Sequence, residues 1–147
     1  MKSIFFKSFL GLGTIVVFFA LISCNKDNNA NPADADREAI EKYATDNQLN
    51  GQFTSSGLYY VIEKPGSANH PTISSSITIS YNGYYLDGTV FDKNDFITFP
   101  LSNLIRGWQE GIPLIGEGGI IKLVIPSYLA YNDGVRVFDV TLFQVSK

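Results

Sequence analysis

The hydrophobic pattern divides the chain into three regimes. Phe9 to Ile22 is an uncharged, mostly apolar run preceded by Lys2 and Lys7. A membrane-spanning helix needs about 20 such residues and a secretory signal core about 7–15. The run therefore predicts an export signal rather than a permanent span. Asn25 to Ala35 holds Asn, Asp, Ala and Pro with no large apolar side chain, and reads as a flexible tether. In Arg37 to Gln48 the residues Ile40, Tyr43 and Ala44 fall at helical spacing. Asp36 is the predicted N-cap, and Glu38 sits in the first turn, where the helix dipole favours an acid. A helix this short is marginal alone, so it is expected to dock, with Leu49 to Ser56 as its connection.

From Gly57 onward the period becomes two. Leu58 to Glu63 is a strand candidate ended by Pro65-Gly66. Ile77, Ile79 and Tyr81 alternate with Thr78 and Ser80 up to Asn82-Gly83, and Asp87-Gly88 is a hairpin-type turn. Ile121, Leu123 and Ile125 alternate before Pro126, and Val135 to Val145 predicts a long closing strand. Between them Ser102 to Ile112 reads as a helix with Leu104, Ile105 and Trp108 on one face. Several antiparallel strands with one short inserted helix against a sheet face make an α+β domain.

Composition narrows the chemistry. The 147 residues fit one domain with a short appendage. Eleven Lys and Arg against 14 Asp and Glu give −3 with no basic block, so no nucleic-acid partner is expected. One Cys and one His supply neither a disulfide framework nor a zinc ligand set, and no metal or cofactor is expected. Gly116-Glu117-Gly118-Gly119 lacks the following Lys-Ser/Thr of a phosphate cradle and reads as a hairpin turn. His70, Arg106 and Lys122 read as exposed surface.

Leu21-Ile22-Ser23-Cys24 resembles the lipobox of bacterial lipoproteins. The resemblance implies a signal peptide over residues 1–23, cleavage before Cys24, diacylation of its thiol and acylation of the new amino terminus. Several acyl chains anchor far better than one. Losing residues 1–23 leaves nine basic against 14 acidic residues. Asn25 beside Cys24 is similar to an outer-membrane sorting signal, and Lys26-Asp27 to short surface-export signals of some Gram-negative lipoproteins. An outer-membrane lipoprotein on the periplasmic face or the cell surface is the expectation, with the tether over residues 24–35.

Tyr81-Asn82-Gly83, Asp87-Gly88-Thr89-Val90-Phe91-Asp92 and Leu104-Ile105-Arg106-Gly107-Trp108-Gln109-Glu110-Gly111-Ile112 stand in a fixed order. With Phe99-Pro100-Leu101, Gly118 to Pro126, Ala130-Tyr131 and Val137-Phe138-Asp139-Val140, they resemble the FKBP-type peptidyl-prolyl cis-trans isomerases. The likeness covers residues 57–147, with residues 36–56 as an amino-terminal helix and connection. It implies a twisted antiparallel sheet wrapped around a short helix, with an apolar pocket between them. Trp108 would be the pocket floor, with Tyr81, Phe91, Leu104, Ile105, Tyr131 and Phe138 as walls. Asp92 would bind the Tyr81 hydroxyl, and Ile97, standing where the family often has an aromatic ring, would bind substrate together with Leu104. The Ile105 N–H and the Tyr131 hydroxyl would bind carbonyls flanking a substrate proline. Proline-containing polypeptides are the implied partners of a monomer. After Tyr131 the chain reaches Val137 about ten residues sooner than the family usually does, a shortening that a surface loop tolerates. Two readings follow: an isomerase assisting the folding of envelope proteins, or a non-catalytic peptide-binding or chaperone lipoprotein built on the same fold.

Overall fold

The computed structural model describes residues 31–147. The predicted export signal, Cys24 and the tether up to Ala30 lie outside the described residues. Helix α1 (Pro32–Asp46) begins before the expected Asp36 cap. The Asn31 side chain accepts from the Ala33 N–H, and Pro32 brings the φ of a first helical residue. Ala33 and Ala35 are strong helix formers. Their lack of apolar bulk, which suggested a tether, only keeps the first turn in solvent. The helix ends at Asp46, short of the predicted Gln48, which sits at φ 54 and turns the chain away.

Six strands form one antiparallel sheet in the order β1-β2-β5-β6-β3-β4. They are β1 (Gln52–Phe53), β2 (Tyr59–Lys64), β3 (Ser76–Tyr84), β4 (Val90–Pro100), β5 (Ile120–Ile125) and β6 (Arg136–Ser146). This is the expected α+β class, with the sheet curved around helix α2 (Arg106–Gly111). Alternation along β5 sends Ile121, Leu123 and Ile125 into the core under α2 and Val124 into a second core under α1. The central strand is covered on both faces, which is why it reads as an almost continuous apolar run.

Helix α2 is shorter than the predicted Ser102–Ile112. A 3-10 turn over Leu101–Asn103 comes first, Leu104 is extended at φ −92 and ψ 168, and Ile105 is the N-cap. The Gln109 side-chain amide donates to the Ser102 and Leu104 carbonyls at 3.1 and 2.7 Å, satisfying groups that a longer helix would have paired. A Cβ on Gly107 would lie 2.4 Å from Ile125 Cγ2, so glycine is what lets α2 lie flat on β5. On the edge strand β4 a register shift carries Phe96 at φ 58, its ring 5.2 Å from that of Phe143. Such a bulge blunts an otherwise pairable edge.

Candidate active site

Strand β3 delivers Tyr81 to the face that α2 covers. Its hydroxyl donates to Asp92 Oδ2 on β4 at 2.6 Å. Burial, then the Asp92 carboxylate, pushes the Tyr81 phenol well above its ordinary range, so it stays a protonated donor. Its ring meets Trp108 at 5.2 Å and 82°, and Trp108 meets Phe138 of β6 at 5.0 Å and 87°. Edge-to-face geometry suits the ring quadrupoles and fixes all three rings against one another. Trp108 Nε1 is buried without a hydrogen-bond partner among the described residues.

These rings border a cavity of about 290 Å³, lined by Tyr81, Asp92, Phe99, Asn103, Leu104, Ile105, Trp108, Tyr131 and Phe138. Leu104 and Ile105 reach it from the extended segment before α2 rather than from a helix face. The Ile105 carbonyl accepts from the Trp108 and Gln109 N–H groups. Its own N–H has no partner among the described residues. An unpaired donor therefore stands at the border of an aromatic cavity.

Phe91, expected as a wall, and Ile97, expected to bind substrate, lie elsewhere. Phe91 stands behind Phe138, edge-on at 5.5 Å, and supports the wall from outside. Ile97 packs against the core under α2, its aliphatic side chain ending short of the cavity. Phe99 and Asn103 were not anticipated as site residues. The two-residue step from Ile97 to Phe99 on β4 was the available signal for Phe99, whereas Asn103 sits in a turn that reads as helix.

Tyr131 comes from the connection between β5 and β6. A 3-10 turn, Ser127–Leu129, follows Pro126, and the chain then reverses through Asn132 at φ 61 and Gly134 at φ 116. This reversal is the end of a longer connection, closed by the Asn132 N–H donating to the Ser127 carbonyl. Tyr131 is 52% exposed and still borders the cavity. Burial of its phenol, and then Asp92, raises its pKa as well.

Elsewhere, Lys122 is not the solvated residue its sequence suggested. Its side chain is 14% exposed, pairs with Asp139 and donates to the Tyr84 hydroxyl at 2.6 Å. It lies on the central strand, where the docked α1 covers the sheet. His70 is exposed as expected, with Nδ1 2.9 Å from the Pro113 carbonyl.

Comparison with known proteins agrees with this fold. The family profile described as FKBP-type peptidyl-prolyl cis-trans isomerase matches residues 67–142. The probable FKBP-type peptidyl-prolyl cis-trans isomerase FkpA of Neisseria meningitidis serogroup B is 38% identical over 129 residues, covering 77% of this chain and 47% of that protein. The crystal structure of FkpA from Escherichia coli superposes with a TM-score of 0.69 at 34% identity, over 76% of this chain and 60% of that one. A peptidyl-prolyl cis-trans isomerase structure from Pseudomonas syringae pv. tomato gives a TM-score of 0.66 at 25% identity, over 80% and 98% of the two chains. The chain spans about half the length of the curated relatives it matches. On the family match over residues 67–142, the chain belongs to the FKBP-type peptidyl-prolyl cis-trans isomerase family.

Proposed function

We propose that this chain is a peptidyl-prolyl cis-trans isomerase that acts on proline-containing polypeptides of the cell envelope. Rotation about an X–Pro bond faces a barrier of about 18–20 kcal/mol and takes tens to hundreds of seconds unaided. The barrier is lost amide resonance, so no nucleophile or proton transfer is required. What lowers it is a dry, shaped site that binds the twisted imide better than either planar isomer. Tyr81, Trp108 and Phe138 supply the apolar shape. The Ile105 N–H and the Tyr131 hydroxyl are the donors for carbonyls on either side of the proline.

The observation that carries this reading is the unpaired Ile105 N–H bordering a cavity in which Trp108 stands edge-to-face to both Tyr81 and Phe138. Exchange NMR between the cis and trans signals of a short Xaa-Pro peptide tests it, with the full chain in mild detergent. Acceleration that Tyr131→Phe diminishes is the expected result. The half-exposed Tyr131 favours a second reading, peptide binding without catalysis. Shifted peptide signals with unaltered exchange would select it.

Anchoring through a lipidated Cys24 in the outer membrane, facing the periplasm or the cell surface, completes the proposal. The lipobox-like Leu21-Ile22-Ser23-Cys24 supports it. In this reading the protein works as a monomer on clients passing the membrane. Cys24→Ser should then move the protein from the membrane fraction to the soluble one; unchanged fractionation discards the anchor.

A further inference from the structure

Arg136 opens β6 at the end of the connection that carries Tyr131, and it is 4% exposed. A buried guanidinium is costly, and an apolar side chain of similar volume commonly packs at lower cost. Here its Nη1 donates to the Gly134 and Val135 carbonyls at 3.1 and 3.2 Å, and Nη2 pairs with Asp133 Oδ1 at 2.6 Å. The short turn is thereby tied together from within.

The same guanidinium faces three rings. Its carbon lies 4.5 Å from the centroid of Tyr85, 5.4 Å from Phe91 and 5.8 Å from Tyr131. All fall within the range over which a cation is attracted to an aromatic face. Phe91 backs Phe138, and Tyr131 borders the cavity directly. Arg136 therefore joins the turn to the outer side of the pocket wall. A half-exposed tyrosine on a short connection otherwise has rotamer freedom to lose each time it engages a ligand.

We infer that Arg136 is a positioning residue, which holds the Tyr131 ring at the cavity mouth through its grip on the turn and on the neighbouring rings. The inference rests on the reading of the pocket as a prolyl-peptide site. Lysine cannot replace it, because a point-charge ammonium lacks the planar fork that serves two carbonyls, a carboxylate and ring faces together.

The test is a double-mutant cycle between Arg136→Met and Tyr131→Phe in the full chain, read by peptide exchange NMR. Arg136→Met leaves Asp133 in water, where its side chain is already 62% exposed, so no buried charge is orphaned. Catalysed exchange should fall about tenfold, in kcat more than in KM, and Arg136→Lys should rescue little of it. Adding Tyr131→Phe should then cost less than about twofold more, because both changes act through one hydroxyl. Losses that multiply, or an Arg136→Met protein with wild-type turnover, would overturn the inference.

The ring protons of Tyr131, assigned by their absence in Tyr131→Phe, give a readout that needs no peptide. They should shift in Arg136→Met; unmoved signals count against the inference whatever the activity. If wild type binds peptide without accelerating exchange, the isomerase reading fails alone, and the same cycle is read on peptide affinity. If Arg136→Met does not fold, Arg136→Lys decides, since it keeps the charge beside Asp133 and loses only the planar fork: shifted Tyr131 signals support the inference and unmoved ones reject it.

Discussion

The Tyr81 hydroxyl and Asp92 Oδ2 meet at 2.6 Å across the β3–β4 pair, and this bond sets the angle of a ring that stands perpendicular to Trp108. Asp92 is exposed, so its loss disturbs little packing, while Tyr81 loses the partner that holds it. Asp92→Ala should lower catalysed exchange about tenfold, the equivalent of ~1.4 kcal/mol. Unfolding stability should change by no more than about 1 kcal/mol. Exchange NMR beside thermal melts checks both, and a collapse in stability would show that the bond is structural first.

The core under α1 makes a pH prediction. Tyr43 and Tyr84 are both pushed up to about 12, by burial foremost. In the unfolded chain a phenol ionises near pH 10. Since the folded-state values are the higher ones, stability is whole below about pH 10 and drains as pH rises from 10 towards 12. Tyr43→Phe should make that decline shallower. Melts taken at intervals between pH 8 and pH 11.5 would refute the assignment if the slope of the variant equals that of wild type.

Lys122 and Asp139 share an ion pair but not the same exposure, at 14% against 44%. Removing the outer carboxylate strands a mostly buried ammonium, whereas removing the ammonium leaves a carboxylate that water can reach. Asp139→Ala should therefore be the more damaging change, by about 1–2 kcal/mol relative to Lys122→Met. Urea denaturation of the two variants ranks them, and equal midpoints would mean that the pair is screened like a surface one.

Asp36, expected to cap its own helix, instead accepts from the Ser127 N–H at 2.8 Å and the Ser127 hydroxyl at 2.5 Å. Its carboxylate thus holds the first residue of the 3-10 turn that leads to Tyr131. Asp36→Ala should cost about 1.5–3 kcal/mol, the range for hydrogen bonds to a charged group. Asp36→Asn, which keeps an acceptor, should recover part of it. A wild-type urea midpoint in Asp36→Ala would leave α1 docked by apolar contact alone.

Much of the fold was legible in the pattern of side chains. The period-two alternation in β3 and β5 reflects the pleat, which places every second residue on one face, and so it revealed both strands and much of the core. The Asp87-Gly88 turn was legible because Gly88 at φ 87 is a conformation glycine takes freely. Tyr81, Asp92, Leu104, Ile105, Trp108, Tyr131 and Phe138, which the family resemblance singles out, all border the cavity. That reading came from the family resemblance, since aromatic residues at alternating positions are by themselves more often plain core.

The tertiary structure decided what periodicity does not encode. The chain pattern tells which face a residue takes, not which distant atom it meets, so nothing local linked Asp36 to Ser127 or Lys122 to Asp139. The resemblance implied Phe91 as a wall and Ile97 as a substrate contact, yet ring packing against Phe138 and the core under α2 turned them into supports. The helix that carries Trp108 reads too long in sequence because Leu104, Ile105 and Trp108 fall on one helical face. The Leu104 and Ile105 carbonyls found other partners once Gln109 was in place. Sequence by itself therefore determined the fold class, strands β2, β3, β5 and β6, and the existence of the inserted helix. Contact between residues far apart in the chain determined which side chains shape the pocket and which hold them in place.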